Sequence, residues 1–303
     1  MSKEMKMIID TDCGIDDAVT IMSAIKRDID VLGITTVAGN TNINNVTENV
    51  LRILNFMGRN DIPVFKGAYV PLLNRNEPIK PAKIHGDNGI GDVVLPPSPK
   101  TYEEIPAPYA IYKLAKENAP VILLALGPLT NIAMAFDLYP DLKNYVSQIV
   151  AMGGAINTGN VTRFAEFNFF FDPEAAEVVL RLGIPMHLVP WDPILATPIT
   201  ENELKETFKG REGELVLKME GSVMDFVEKS RGVRAMFLAD PTALATFLEP
   251  DIIKSAFNSS LHMELNPGTL LRGTSILGEG EGTNIVMEID KSRFLQFFKN
   301  IFV

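Results

Sequence analysis

Asp10, Asp12, Asp16 and Asp17 place four carboxylates within eight positions of the chain. Such close negative charges repel one another and hold protons unless a cation joins them. A hard divalent cation with oxygen ligands relieves the repulsion, and Ca²⁺ or Mg²⁺ suits such donors. No cluster of thiols and imidazoles suggests zinc. The plain alternative is a solvated acidic loop, because aspartates near a helix N-terminus are stabilising in any case. The cluster directly follows a buried apolar run, which favours a metal or ligand site over that alternative.

The elements around the cluster explain its placement. Met5 to Ile9 reads as a buried strand. Beyond Gly14, the apolar residues Ile15, Ala18, Val19, Met22 and Ile25 recur at helical spacing. The acids therefore sit on a strand-to-helix loop, at the carboxyl end of a strand, where open α/β sheets place their ligand sites. The same alternation continues. Strands are expected at 31–38, 62–65, 121–126, 148–152 and 184–189, with helices at 46–57, 109–117, 130–138 and 173–182. A charged helical stretch follows at 201–230, interrupted at Gly210, and Asp240-Pro241 opens another helix. Shorter strands, 261–265 and 284–289, extend the sheet or cover an edge, and a last helix starts at Lys291. Residues 67–106 are rich in proline and glycine and read as an ordered loop carrying His85-Gly86-Asp87-Asn88-Gly89; long loops in compact domains are usually functional. The fold class expected is α/β: an open, mostly parallel sheet with helices on both faces, Rossmann-like, with the site at the carboxyl ends of the strands. Asp12, Asn40, Leu126, Met152 and Asp192 all follow strand patterns, so they could line one rim.

Composition narrows the function. The chain has 303 residues, 46% hydrophobic and 22% charged, with a net charge of −10. Nucleic acid and anionic membrane surfaces are not expected partners of so acidic a chain. One cysteine excludes an internal disulfide and suits a reducing cytoplasm. No signal peptide is expected, and no apolar run approaches the ~20 residues that span a bilayer. No linker or repeat divides residues 1–303, so a single domain is expected.

The motif Asp10-Thr11-Asp12-Cys13-Gly14-Ile15-Asp16-Asp17-Ala18 resembles the N-terminal signature of the inosine-uridine-preferring nucleoside hydrolases. Thr35-Thr36-Val37-Ala38-Gly39-Asn40, His85-Gly86, Gly127-Pro128-Leu129-Thr130-Asn131, Met152-Gly153-Gly154, Asn160, Glu166-Phe167-Asn168 and Asp172-Pro173-Glu174-Ala175-Ala176 are similar to that family in the same order. The resemblance implies hydrolysis of a ribonucleoside to ribose and base, with bound Ca²⁺. By motif, it implies Asp12, Asp17 and Asp240 as carboxylate ligands and Leu126 as a backbone-carbonyl ligand, with Asp10 in support. It implies Asp16, Asn168 and Asp240 at the ribose 2′ and 3′ hydroxyls, Asn160 and Glu166 at the 5′ hydroxyl, and Asn40 and Met152 lining the sugar pocket. Calcium would orient a water whose proton Asp12 takes. The transition state would resemble an oxocarbenium ion, which surrounding carboxylates stabilise. A small-molecule ribonucleoside is the expected partner, and relatives imply a homodimer or homotetramer.

Four residues depart from the family pattern. Leu126 replaces a frequent threonine, which a carbonyl ligand tolerates. Cys13 and Arg163 stand where proline is common. Ala239 stands where many members have a histidine that protonates the departing base. His85, in the long loop, is the remaining candidate for a base-side role. His187 and His262 lie in strand patterns and read as structural, and Trp191 reads as packing. Two other functions compete. A haloacid-dehalogenase-type phosphatase also carries Asp-x-Asp after its first strand, but expects threonine or valine where this chain has Gly14. A non-catalytic nucleoside- or ribose-binding homologue is the reading that Ala239 favours.

Overall fold

The computed structural model describes residues 5–73, 85–280 and 282–303, without the side chains of Ser222, Ser230 and Arg231. In chain order the elements are β1 (Lys6–Thr11), α1 (Ile15–Lys26), β2 (Asp30–Thr36), α2 (Ile43–Phe56), β3 (Val64–Lys66), α3 (Ala107–Asn118), β4 (Val121–Ala125), α4 (Thr130–Leu138) and β5 (Val146–Met152). There follow α5 (Phe167–Phe171), α6 (Pro173–Leu180), β6 (Met186–Val189), α7 (Trp191–Leu195), β7 (Ile199–Thr200), α8 (Glu201–Thr207) and α9 (Gly210–Arg231). The chain closes with β8 (Ala235–Met236), α10 (Ala239–Leu248), β9 (Ile253–Ser259), β10 (Leu261–Met263), β11 (Ser275–Leu277), β12 (Thr283–Ile289) and α11 (Lys291–Lys299).

Eight strands form the main sheet in the order β3-β2-β1-β4-β5-β6-β12-β9. Every pairing is parallel except that of β12 with β9. The pleat of β1 shows why its sequence is apolar throughout. Met7 and Ile9 join the core on one face, with α1, α2, α10 and α11. Ile8 joins the core on the other, with α3, α4 and α6. A strand covered on both faces needs a continuous apolar run rather than alternation. Ile8 and Ile9 are fully buried, each worth about 1.5–3 kcal/mol relative to exposure.

The chain begins in the middle of this sheet. It winds through β2 and β3 to one edge, then returns to β4 and winds the other way. The reversal falls between β1 and β4, which are adjacent and parallel. The crevice at their carboxyl ends is the topological switch point, where open α/β sheets bind ligands. Asp12 and Gly127 both lie there, each just beyond its strand.

The expected alternation holds through β6, and the break near Gly210 separates α8 from α9. The second helix starts earlier than expected, at Ile43, because the Asn42 side chain accepts the Asn44 and Asn45 N–H groups at 3.0 and 3.2 Å. Of the two late strands expected, 284–289 extends the sheet as β12, paired with β9, while 261–265 contains β10, which pairs with the unforeseen β11 as a separate hairpin. Strand β9 was not legible because most of its residues are exposed. The short α5 and α7 and the β7–β8 pair were also not foreseen. Part of the expected loop at 67–106, residues 74–84, lies outside the described residues.

Candidate active site

The acid cluster is built from three chain segments. The loop after β1 supplies Asp12, the first turn of α1 supplies Asp16 and Asp17, and the first turn of α10 supplies Asp240. Helices α1 and α10 pack together, which brings Asp240 beside Asp17 across more than two hundred residues of sequence. Asp16, Asp17 and Asp240 each offer an oxygen within 4.8 Å of the others. Asp12 lies outside that tightest grouping. It is fully buried, and its Oδ1 has no hydrogen-bond partner among the described residues.

Asp12 is held by close backbone approach. The Asn40 N–H donates to its Oδ2 at 2.8 Å. A Cβ on Gly39 would stand 2.1 Å from that oxygen, and one on Gly127 would stand 2.9 Å from the Asp12 nitrogen. Two glycines after two different strands therefore form a slot that only this carboxylate fills. Asp17 is fixed by the Thr11 hydroxyl, by the Gly14 N–H at 2.8 Å and by Asn40 Nδ2 at 3.3 Å. Asp10 accepts from Thr35 Oγ1 at 2.5 Å and from Asn131 Nδ2 at 2.8 Å, which ties β1 to β2 and α4.

Burial and mutual repulsion push these acids toward the protonated form. Burial raises Asp17 to about 6, with the Asp16 charge adding to it and bonds from Thr11 and Gly14 opposing it. Asp12 lies well above the usual carboxylate range, from burial first and then the Asp17 charge. Asp240 is raised in the same way, by burial and then by Asp16, Asp17 and Asp12. Asp10 rises to about 7 through burial, against its two side-chain bonds. A bound cation inverts this balance and favours the charged carboxylates. The donor set is all oxygen and includes the unpartnered Asp12 Oδ1, so the residues present fit a hard divalent cation.

Asn168 and Glu166 reach the ends of neighbouring strands, and Asn160 and His85 lie on flanking loops. Asn168 Nδ2 donates to the Leu126 carbonyl at 2.8 Å and to the Met152 carbonyl at 3.2 Å, spanning the ends of β4 and β5. Glu166 is buried and caps α5. Its carboxylate accepts the Asn168 and Gly154 N–H groups, both at 2.8 Å, and the Phe169 N–H at 3.2 Å. Burial raises Glu166 to about 7 despite these bonds. Asn160 is exposed, and its Oδ1 accepts the Phe167 N–H at 2.8 Å. His85 is half-buried beside the start of α1, where its Nδ1 accepts the Ile15 N–H at 3.4 Å. Burial lowers its pKa and the Asp16 carboxylate opposes the drop.

Asp192 does not join the acids. It clamps a turn instead, accepting the Ile156 and Asn157 N–H groups at 2.7 and 2.8 Å. Cys13 is fully buried in the loop, and burial with its acidic neighbours pushes the thiol well up. Trp191 packs against Phe237 at 5.5 Å. His187 is buried in β6 against Thr246 Oγ1 at 2.9 Å, and His262 lies exposed near Glu177.

Thr11, Thr35 and Asn131 hold the acids in place and carried no assigned role in the sequence reading, although all three stand inside its motifs. Glu220, a fully buried acid on α9, was missed altogether. Its signal was an acid within the apolar stripe Val216, Met219, Val223, Met224 and Val227.

Fold and site together define an α/β enzyme with an acidic, metal-competent pocket at the strand ends. The inosine-uridine preferring nucleoside hydrolase pattern matches residues 7–296, and the chain belongs to that family. It is 33% identical over 305 residues to the pyrimidine-specific ribonucleoside hydrolase RihB of Escherichia coli O157:H7, covering 96% of this chain and 95% of the relative. It superposes on the plant nucleoside hydrolase PpNRh1 with a TM-score of 0.92 at 26% identity, covering 99% of each chain. It superposes on the purine-preferring ribonucleoside hydrolase of Gardnerella vaginalis with a TM-score of 0.89 at 28% identity, covering 98% of each chain. The protein is thus an enzyme, a ribonucleoside hydrolase. Among the described residues, no helix is long and apolar enough to cross a membrane.

Proposed function

We propose that this enzyme is a Ca²⁺-dependent hydrolase of pyrimidine and purine ribonucleosides, acting in the cytoplasm as a homodimer or homotetramer through one domain spanning 1–303. The observation that carries the reading is the buried acid cluster at the switch point, with Asp12 Oδ1 lacking a hydrogen-bond partner among the described residues. Asp12, Asp17, Asp240 and the Leu126 carbonyl would hold the calcium, with Asp16 contributing to the same oxygen cluster. When bound, the ion supplies charge neutralisation among the acids and orients the attacking water.

The chain's own residues do the rest. Asp12 accepts the proton of the water that attacks C1′ of ribose. Asp16, Asn168 and Asp240 bind the 2′ and 3′ hydroxyls. The three Asn168 side-chain contacts all use Nδ2, so its Oδ1 is the atom left to accept from a hydroxyl. Glu166 and Asn160 close the 5′ end, and Asn40 and Met152 flank the ring. Negative charge around the sugar stabilises the positive character that develops as the bond to the base breaks. The same charge repels phosphate, so nucleotides are poor substrates. His85 accepts at Nδ1, so a neutral ring carries its proton on Nε2 and can orient the base as a donor; this tautomer is assigned from the hydrogen-bond pattern.

The test is a panel of uridine, cytidine, inosine and 2′-deoxyinosine, with free base and reducing sugar both quantified. Equal release of base and ribose is expected, with deoxyinosine slower by about 10⁴ because buried polar groups lose their partner. Tight nucleoside binding without release would favour the non-catalytic reading. Activity confined to phosphate esters would favour the phosphatase.

A further inference from the structure

The acid loop and the loop that carries His85 meet at Gly14. A Cβ on Gly14 would stand 2.6 Å from Asn40 Nδ2 and 3.0 Å from His85 Nδ1. The imidazole therefore lies directly against the backbone that leads into Asp16 and Asp17. Its own bond to that backbone, from the Ile15 N–H, is long at 3.4 Å. Hydrogen bonds of that length hold a ring weakly. The spacing of the two loops is fixed by stronger contacts behind it.

The His85 loop is stiff. The Gly91 N–H donates to the His85 carbonyl at 2.8 Å. Asn88 Oδ1 accepts the Ile90 and Asp92 N–H groups at 2.9 and 3.0 Å. Asp92 Oδ1 accepts the Asp87 and Asn88 N–H groups at 2.8 and 3.2 Å. A loop closed on itself in this way moves as one body, so a pin at one point also places His85. On one side α9 backs it: a Cβ on Gly91 would stand 2.2 Å from the Met219 carbonyl oxygen. On another side stands Asn49, in the interior of α2 and 4% exposed. Its Nδ2 donates to the Asn88 carbonyl at 2.9 Å and to the Cys13 carbonyl at 3.3 Å. Both N–H groups of one amide are spent, one on each loop. Asparagine is a poor residue for a helix interior, and a buried amide is costly without partners. The bridge accounts for its place there.

We propose that Asn49 is a positioning residue for the departing base: it sets the distance between the acid loop and His85. The assignment rests on the base-side role of His85 in the reading above. Asn49 itself touches no substrate. It acts by holding the imidazole at a fixed place relative to the acids that bind the sugar. Cleavage that needs an oriented base depends on it, and cleavage of a group that leaves unaided does not.

The experiment measures uridine, inosine and p-nitrophenyl riboside turnover by wild type, Asn49→Ala, Gly89→Ala, His85→Ala and the Asn49→Ala/His85→Ala double variant, with circular dichroism in parallel. The p-nitrophenolate group leaves without protonation. Gly89→Ala loosens the pin from the loop side and leaves the bond to Cys13 in place. Gly89 has a φ of +91°, and its Cβ would stand 2.8 Å from Thr41 Cγ2 and 3.2 Å from Asn49 Nδ2. We expect kcat on the nucleosides to fall about 10-fold to 10²-fold in Asn49→Ala and in Gly89→Ala, as for a group displaced by up to ~1 Å. Turnover of the p-nitrophenyl riboside should hold in both. The double variant should be no slower on nucleosides than His85→Ala, because the pin then has nothing left to position. A merely structural role would slow both kinds of substrate and add to the His85→Ala loss, and either result would overturn the assignment. Nucleoside turnover at the wild-type rate in His85→Ala would overturn the base-side role of His85, and this assignment with it. A slowed His85→Ala beside unaffected Asn49→Ala and Gly89→Ala would overturn this assignment alone.

Discussion

Gly39→Ala tests whether the position of Asp12 controls turnover. The new methyl would stand 2.1 Å from Asp12 Oδ2 and 2.8 Å from its Cβ and Cγ. Ordinary contact begins near ~3.5 Å, so the carboxylate must retreat by roughly 1 Å or more. It cannot rotate away freely, since Gly127 closes the other side of the slot. The retreat also breaks the 2.8 Å bond from the Asn40 N–H. A 1 Å misplacement of a reacting group costs on the order of 10² in rate. Overpacking a buried site costs about 1–3 kcal/mol. At ~2–4 °C per kcal/mol for a chain of this size, that lowers the Tm by about 2–12 °C. Base release from uridine, followed by absorbance, should show kcat reduced about 10²-fold with an unchanged circular dichroism spectrum. Wild-type kcat in the folded variant would refute the claim that this slot sets the geometry of the reaction.

Two further predictions concern stability. Asn131→Ala should destabilise by about 3 kcal/mol or more in chemical denaturation, because Asp10 Oδ1, the Thr36 carbonyl and the Ala68 N–H each lose a partner at a buried site; a loss below 1 kcal/mol would mean that water or Thr35 replaces it. His187 should shape the acid limb of stability. Burial lowers its pKa to about 4, from 6.5 in the unfolded chain. The folded state therefore binds this proton less well. The stabilisation is complete above pH 6.5 and is lost as pH falls toward 4, by about 3 kcal/mol in total. A His187→Gln variant should lack that share of the acid-induced loss, and an identical pH profile in both proteins would contradict the shift.

The sheet was legible because β1, β4, β5 and β6 are buried on both faces, which leaves uninterrupted apolar runs separated by helical spacing. Strand β9 was not, because an exposed edge strand imposes no apolar pattern. The acid loop was legible because Asp10, Asp12, Asp16 and Asp17 are neighbours in sequence as well as in space. Asp240 was placed only through its resemblance to a family motif, since helix packing rather than sequence adjacency brings it to Asp17. Asp192 follows a strand as Asp12 does, yet its carboxylate is consumed by the 156–157 turn; position at a strand end does not tell a ligand from a loop clamp. Glu220 stood in plain view as an acid in an apolar helix stripe, but its lack of partners is a property of the packed molecule alone.

The central claim is that the buried acids form a calcium site that drives glycosidic hydrolysis. Its most direct test is uridine and inosine turnover by protein stripped with a chelator, with the metal content measured before and after adding Ca²⁺. The account predicts that turnover disappears with the metal and returns as one equivalent of Ca²⁺ per chain is bound. Full turnover in protein shown to be metal-free, or recovery with a transition metal alone, would contradict it.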